Sequence, residues 1–249
     1  MKTIVLAGGF AKRLIPTTDE LPKPLLPVAG RPLLTHVLQK VDRFKPPEEN
    51  RCYLTTNKKF EIDFRNYLLD NSPKIPIELI SEESIENTEK RGSVGAVGLV
   101  LEKAKIKYDE VMVIGADNLF SFELDELYSE YVKRGKVSTV ALFDVGDKDL
   151  AKKYGVVSID KDNKITDFQE KPENPNSTLI STAIYMFNPH DFQMIDDYLK
   201  QGNPPDRMGD FIVWMSKRVN LQSFVFQGYW FDIGCHESLS KANIQMRGQ

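Results

Sequence analysis

The sequence predicts an α/β fold: a mostly parallel sheet flanked by helices, followed by a smaller part richer in β-structure. Three observations carry this expectation. Over about residues 1–145, short apolar runs alternate with segments of helical period, the pattern of βαβ units. From about residue 146 to 249 the strands shorten and their connections become irregular. The chain has 249 residues, 41% of them hydrophobic, which is enough for one large α/β domain or two small ones. No Pro/Ser-rich linker, repeat or low-complexity run separates the two parts, so one body over 1–249 with a cleft between them is expected.

The elements follow in order. Ile4-Val5-Leu6-Ala7 reads as a short interior strand ending at Gly8-Gly9, where the backbone is free to turn tightly. In "RPLLTHVLQKVDRF", Pro32 sits at a helix start and Leu34, Val37, Leu38 and Val41 recur at helical spacing. "RCYLTTN" and "IPIELIS" are strands with the helix "EIDFRNYLLD" between them. "GSVGAVGLVLEKAK" is a glycine-rich entry into a helix, and "YDEVMVIGADN" a buried strand ending in polar residues. The amphipathic "FELDELYSEYVKR" and the strand "VSTVALFDV" complete the first part.

In the second part, "YGVVSIDKDNKITDFQEKP" is a hairpin turning at Asp162-Asn163. Next come the strand "LISTAIYMF" and the helices "PHDFQMIDDYLK" and "MGDFIVWMSKRV". The strands of "LQSFVFQGYWFDIG" and a closing helix "HESLSKANIQMR" end the chain. Phe211, Trp214 and Met215 form one stripe of their helix, which is read as core.

Bulk charge narrows the function. Thirty-three Lys and Arg against 36 Asp and Glu give a net charge of −3, with both signs dispersed. That is no footprint for a nucleic-acid polymer or an acidic membrane surface. Cys52 and Cys235 are the only cysteines and the three histidines are scattered, so neither a disulfide framework nor a zinc site is indicated. The apolar run at the N-terminus is too short for a signal peptide or a membrane span, and a cytoplasmic protein is expected. A homo-oligomer is left open.

An anionic ligand would need positive charge that is local and placed. A Gly-rich turn after a strand exposes backbone N–H groups to an anion. Arg13 offers a donor fork for phosphate oxygens and Lys23 a compact charge, its backbone restrained by Pro22 and Pro24. The same spacing also fits a turn with two solvated basic residues. It is neither a P-loop nor a dinucleotide fingerprint, because G-x-x-x-x-G-K-[ST] and G-x-G-x-x-G are both missing.

"LAGGFAKRLIPTT" followed by "LPKPLLPVAGRPLL" resembles the signature of the sugar-nucleotide pyrophosphorylases, which join a sugar 1-phosphate to a nucleoside triphosphate. The resemblance continues in order through "EKRGSVGAVG", "VMVIGADNLF", "YGVVSID", "FQEKP" and "YWFDIGCHESL", covering about residues 1–245. It looks nearest to glucose-1-phosphate thymidylyltransferases and short single-domain relatives. It implies a Rossmann-like mixed sheet of the nucleotide-diphospho-sugar transferase type, with a nucleotide-binding part over about 1–145 and a sugar-binding part over about 146–249.

Carried over residue by residue, the resemblance places the nucleotide on Leu6, Ala7, Gly8, Gly9 and Gly92, with Gly95 in the same loop. Catalytic charge falls to Arg13, Lys23 and Lys171. The sugar falls to Tyr154, Gly155, Glu170, Lys171 and Ala183, and Mg²⁺ to Asp117 and Asp232. Two carboxylates beside phosphate oxygens are a chemically sensible Mg²⁺ site.

The substrates implied are glucose 1-phosphate and dTTP or UTP. Three departures stand out: Ala11 replaces the loop's second glycine, Ala116 separates Gly115 from Asp117, and Ala183 occupies a place where the family has glycine. A non-catalytic subunit that binds sugar nucleotide is the alternative, and retention of Arg13, Lys23, Asp117 and Asp232 argues against it. An oxidoreductase is suggested only by the βαβ start.

Overall fold

The structure is a computed structural model that describes residues 1–9, 21–84 and 91–247. The strands are β1 (Lys2–Leu6), β2 (Pro27–Val28), β3 (Arg31–Pro32), β4 (Arg51–Asn57), β5 (Ile77–Glu82), β6 (Val111–Gly115) and β7 (Asn118–Phe120). They continue as β8 (Thr139–Asp144), β9 (Gly155–Ile159), β10 (Ile165–Glu170), β11 (Leu179–Phe187), β12 (Gln222–Val225) and β13 (Trp230–Asp232). The helices are α1 (Leu33–Arg43), α2 (Glu61–Asn71), α3 (Gly92–Lys103), α4 (Leu124–Lys133), α5 (Lys148–Ala151), α6 (Pro189–Lys200), α7 (Met208–Ser216) and α8 (His236–Arg247).

A nine-stranded sheet runs in the order β10-β9-β11-β6-β1-β4-β5, with β8 on β11 and β12 on β8. The pairs β1–β4, β1–β6 and β4–β5 are parallel, as βαβ connections require. β11 runs antiparallel to both β6 and β8, so the sheet is mixed and continuous across residue 145.

Strand alternation explains the two layers. In β1, Val5 faces a core with Leu34, Val37 and Leu38 of α1, Phe64 of α2 and Leu127 of α4. Its neighbour Ile4 faces Val97 of α3, Ile195 of α6 and Phe211 of α7 on the other side. Period-2 strands thus bury both faces under period-3.6 helices.

Three features were not anticipated from the sequence. Lys23–Leu25 is one 3-10 turn that begins at Pro22. Ala29 and Gly30, both at positive φ, make the tight turn between β2 and β3. β7 and β13 pair as a separate antiparallel ribbon, Asn118 opposite Asp232 and Phe120 opposite Trp230. At the 161–164 hairpin, Asn163 takes φ +60, the left-handed conformation that asparagine tolerates. Among the described residues no helix is long and apolar enough to cross a membrane.

Candidate active site

The parallel register brings the carboxyl ends of β1, β4, β5 and β6 to one edge of the sheet, where open α/β sheets bind ligands. A cleft of about 590 Å³ lies there. Leu6, Gly8, Gly9, Thr55, Glu82 and Gly92 line one end, and Tyr154, Gly155, Glu170, Lys171, Ala183 and Gly209 the other. Asp117 and Asp232 stand on its wall as well.

Lys23 ties these two aspartates together. Its Nζ donates to Asp117 Oδ2 at 2.7 Å and to Asp232 Oδ1 at 3.4 Å, while only 9% of the residue is exposed. Burial by itself would lower the ammonium's pKa. The charges of Asp117 and then Asp232 outweigh it and hold the pKa above its usual value.

The carboxylates are held in turn. Asn118 Nδ2 donates to Asp117 Oδ1 at 2.8 Å, and Trp230 Nε1 donates to Asn118 Oδ1 at 2.9 Å. The β7–β13 ribbon sets Asp232 beside this chain, and Ile233 N bonds Asp117 O at 2.9 Å. A Cβ at Gly115 would lie 2.6 Å from Asn118 Nδ2 and 3.0 Å from Asp117 Oδ1, so that glycine leaves room for the network.

Trp230→Phe keeps a ring beside Tyr154 but removes the donor to Asn118. Stability in urea is expected to fall by about 1–3 kcal/mol, the penalty for a buried polar group left unpaired. An unchanged unfolding midpoint would show that the Trp230–Asn118 bond does not hold this wall.

At the other end, Glu170 occupies a slot formed by two glycines. A Cβ at Gly209 would overlap Glu170 Oε2, and one at Gly155 would come 3.2 Å from it. Arg207 Nη1 lies 4.0 Å from Glu170 Oε1. Burial pushes the Glu170 carboxyl up, Lys171 and Arg207 oppose this, and Asp210 adds to it. A carboxyl raised in the folded state holds its proton more tightly there than in the unfolded chain, so its contribution to stability is lost as pH rises. Glu170→Gln is therefore expected to gain stability over the wild type as pH goes from about 4 to 7. Parallel thermal-unfolding curves at all pH values would count against this.

Two non-glycine residues here are left-handed, Lys171 at φ +48 and Ala183 at φ +57. Ala183 lies where the β11–β8 register shifts between Ser181 and Tyr185. Its backbone takes the conformation that glycine supplies without strain, at a cost of order 1–2 kcal/mol for alanine. Lys171 N is fixed by Tyr154 O at 3.0 Å, and its exposed side chain lines the cleft.

At the first end, Asn57 Nδ2 donates to Gly8 O at 3.1 Å while its Oδ1 accepts from Phe60 N at 3.2 Å. Neither Gly8 nor Gly9 has positive φ, and a Cβ on Gly9 would meet nothing within 4 Å among the described residues. Tight turning is thus not what requires glycine at these positions, contrary to the expectation from sequence. Glu82, 5% exposed, accepts from Ser84 Oγ and from Arg91 N, both at 2.9 Å, and so ties Ser84 to the residue that precedes α3. Gly92, at φ +74, packs on the backbone of Asp206, with Pro205 O 2.5 Å from where its Cβ would be. Gly95 packs more loosely against Arg91 and Pro205.

The structure thus gathers Leu6, Gly8, Gly9, Gly92, Asp117 and Asp232 with Tyr154, Gly155, Glu170, Lys171 and Ala183 around one cleft. Lys23 reaches it through the aspartates. Ala7 points instead into the core, and its amide bonds Thr55 O, because alternation after Leu6 turns it away. Arg13 lies outside the described residues, as does Ala11. Sequence reasoning missed Arg207 and Gly209, and assigned no role to Asn118 or Trp230, which lie beside Asp117 and just before Asp232. The only local signal for Gly209 was a glycine one residue into a helix.

The chain is similar to known proteins over most of its length. The family model "Nucleotidyl transferase" matches residues 2–249. A bifunctional protein GlmU of Methanococcus aeolicus is 31% identical over 99% of this chain and 54% of its own length. A mannose-1-phosphate guanylyltransferase catalytic subunit beta of Drosophila pseudoobscura is 26% identical over 94% of this chain and 59% of its own. The chain thus spans little more than half the length of the curated relatives it matches. A crystal structure from Bacillus anthracis, assigned as a glucose-1-phosphate thymidylyltransferase and holding sucrose, superposes with a TM-score of 0.86. It is 28% identical, with 100% of this chain and 96% of that one covered. With its mixed sheet, its cleft at the strand ends and a match over nearly all its length, the chain belongs to the nucleotidyl transferase family.

Proposed function

We propose that this protein transfers a nucleotidyl group from a nucleoside triphosphate to a sugar 1-phosphate, with glucose 1-phosphate and dTTP or UTP as substrates. The observation that carries this reading is the Lys23–Asp117–Asp232 cluster, set between a glycine-lined end of the cleft and a Glu170–Lys171 end. Residues of about 1–145 would seat the nucleotide and those of about 146–249 the sugar.

A phosphate oxygen of the sugar 1-phosphate attacks the α-phosphorus while the bond to the pyrophosphate oxygen breaks. The attacking phosphate is already ionised, so no general base is needed, and positioning with charge neutralisation does the catalysis. Leu6, Gly8, Gly9 and Gly92 would line the nucleotide's seat, and Arg13 would take the leaving pyrophosphate. Lys23 neutralises charge that builds on the α-phosphate. Lys171 seats the attacking phosphate, Glu170 accepts from sugar hydroxyls, and Tyr154, Gly155 and Ala183 shape the hexose pocket.

Asp117 and Asp232 fit Mg²⁺: two carboxylate oxygens reach one cationic atom from two sides on the cleft wall. Among the described residues no three His, Cys, Asp or Glu side chains gather as a metal site, so substrate oxygens and water would complete the shell. The ion would supply further neutralisation of phosphate charge.

A pyrophosphate-release assay over a matrix of nucleoside triphosphates and sugar 1-phosphates tests the reading. Release is expected with glucose 1-phosphate and dTTP or UTP. Release only with another pair, such as GTP and mannose 1-phosphate, would replace the substrates. Release with none would favour a subunit that binds sugar nucleotide without reacting. In the same assay Glu170→Gln is expected to raise KM for the sugar 1-phosphate, so the change that stabilises the fold weakens the site.

A further inference from the structure

We propose that Lys23 is an internal stand-in for the divalent cation: in the substrate-free protein its ammonium fills the gap between Asp117 and Asp232, and a divalent ion enters only when a nucleotide draws the lysine away. This rests on the reading that the two aspartates form the metal site.

The geometry sets lysine and metal in competition for the same oxygens. Nζ lies 2.7 Å from one carboxylate and 3.4 Å from the other. Mg²⁺ binds carboxylate oxygens at about 2.0–2.1 Å, so an ion shared by Asp117 Oδ2 and Asp232 Oδ1 would compete with Nζ for both. The Asp117 carboxylate is not placed to yield by swinging aside. Asp117 is fastened through Asn118 to Trp230, and Asp232 is set by its pairing opposite Asn118 in the β7–β13 ribbon.

Lys23 has its backbone held in the 3-10 turn closed by Leu25 N to Pro22 O at 2.8 Å, and its side chain is bonded at the ammonium alone, to these two carboxylates. Its four-carbon stem can redirect the ammonium by side-chain rotation while the turn stays fixed. When the ammonium leaves, two carboxylates face each other, and their repulsion favours a replacement cation. Nucleotide phosphates offer both halves of the exchange, acceptor oxygens for the ammonium and further ligands for the ion. The consequence is ordered loading: without nucleotide the protein holds divalent metal poorly.

The test is Mn²⁺ binding measured by electron paramagnetic resonance on the full chain, with no nucleotide present. Lys23→Met is expected to bind Mn²⁺ about 10–100-fold more tightly than the wild type, the scale on which groups around a site tune metal affinity. Lys171→Met removes the same charge from the same cleft, and should stay within ~3-fold of the wild type because surface-lining charge is screened. An equal gain in Lys171→Met would reduce the effect to general electrostatics and overturn the proposal.

A wild-type Mn²⁺ site as tight as that of Lys23→Met, and removed by Asp117→Asn, would also overturn it while leaving the metal reading intact. If Lys23→Met gains affinity that adding Asp117→Asn does not remove, the metal lies elsewhere and the underlying reading fails. Lys23→Gln, a polar replacement, serves if Lys23→Met does not fold. The wild-type arm needs no Lys23 variant.

Discussion

Lys23→Ala is expected to lower kcat by at least ~100-fold, the loss seen when one preorganised donor to a transition state is removed. KM for the sugar 1-phosphate is expected to move by less than ~3-fold, since an interaction made mainly in the transition state affects turnover rather than ground-state binding. The structural ground is the position of Nζ at the junction of the two aspartates, between the two ends of the cleft. The same substitution is expected to raise divalent-metal affinity, so metal binding and turnover should change in opposite directions. A loss of kcat explained only by poorer metal binding would disappear at saturating Mg²⁺, and this one should not. Steady-state pyrophosphate release, with circular dichroism to verify folding, decides it. Turnover near the wild-type value in a folded variant would sink the assigned role.

Gly209→Ala is expected to raise KM for the sugar 1-phosphate by at least ~10-fold, equivalent to about 1.4 kcal/mol, and to leave KM for the nucleotide nearly unchanged. The added methyl overlaps Glu170 Oε2 and sits 2.5 Å from its carboxylate carbon. On the Gly155 side the Phe168 ring already fills the space beside the glycine, which limits retreat of Glu170. The carboxylate must rotate into the cleft or α7 must shift, and overpacking of this kind costs about 1–3 kcal/mol of stability. Unaltered KM for the sugar 1-phosphate, in an enzyme that releases pyrophosphate, would mean that Glu170 does not read the sugar. A parallel rise in both KM values would point instead to movement of the 205–206 backbone, which packs on Gly92.

The local elements were legible because their causes are local. β11 at Leu179–Phe187, α6 at Pro189–Lys200 and α8 at His236–Arg247 fall where the apolar period and the flanking Pro and Gly place them. Phe211 and Met215 are core, as their helical spacing indicated, with Trp214 packed against it. The first turn of that helix was not legible as part of a site. Gly209 matters only because Glu170, from another strand, lies against it.

By itself, the sequence determined the α/β class, the two-layer core and the motif-bearing loops around Gly8-Gly9, Lys23, Asp117, Glu170-Lys171 and Asp232. Hydrophobic period and turn chemistry act within a few residues, so they can be read along the chain. The tertiary structure alone decided which charges meet. Pairing of Asn118 with Asp232 across the β7–β13 ribbon, closed by the Trp230–Asn118 bond, brings two distant aspartates onto one lysine. It likewise made Gly92 a seat for the 205–206 backbone and turned Ala7 inward to the core. Such contacts arise from the register of strands far apart in the chain, which no local pattern encodes.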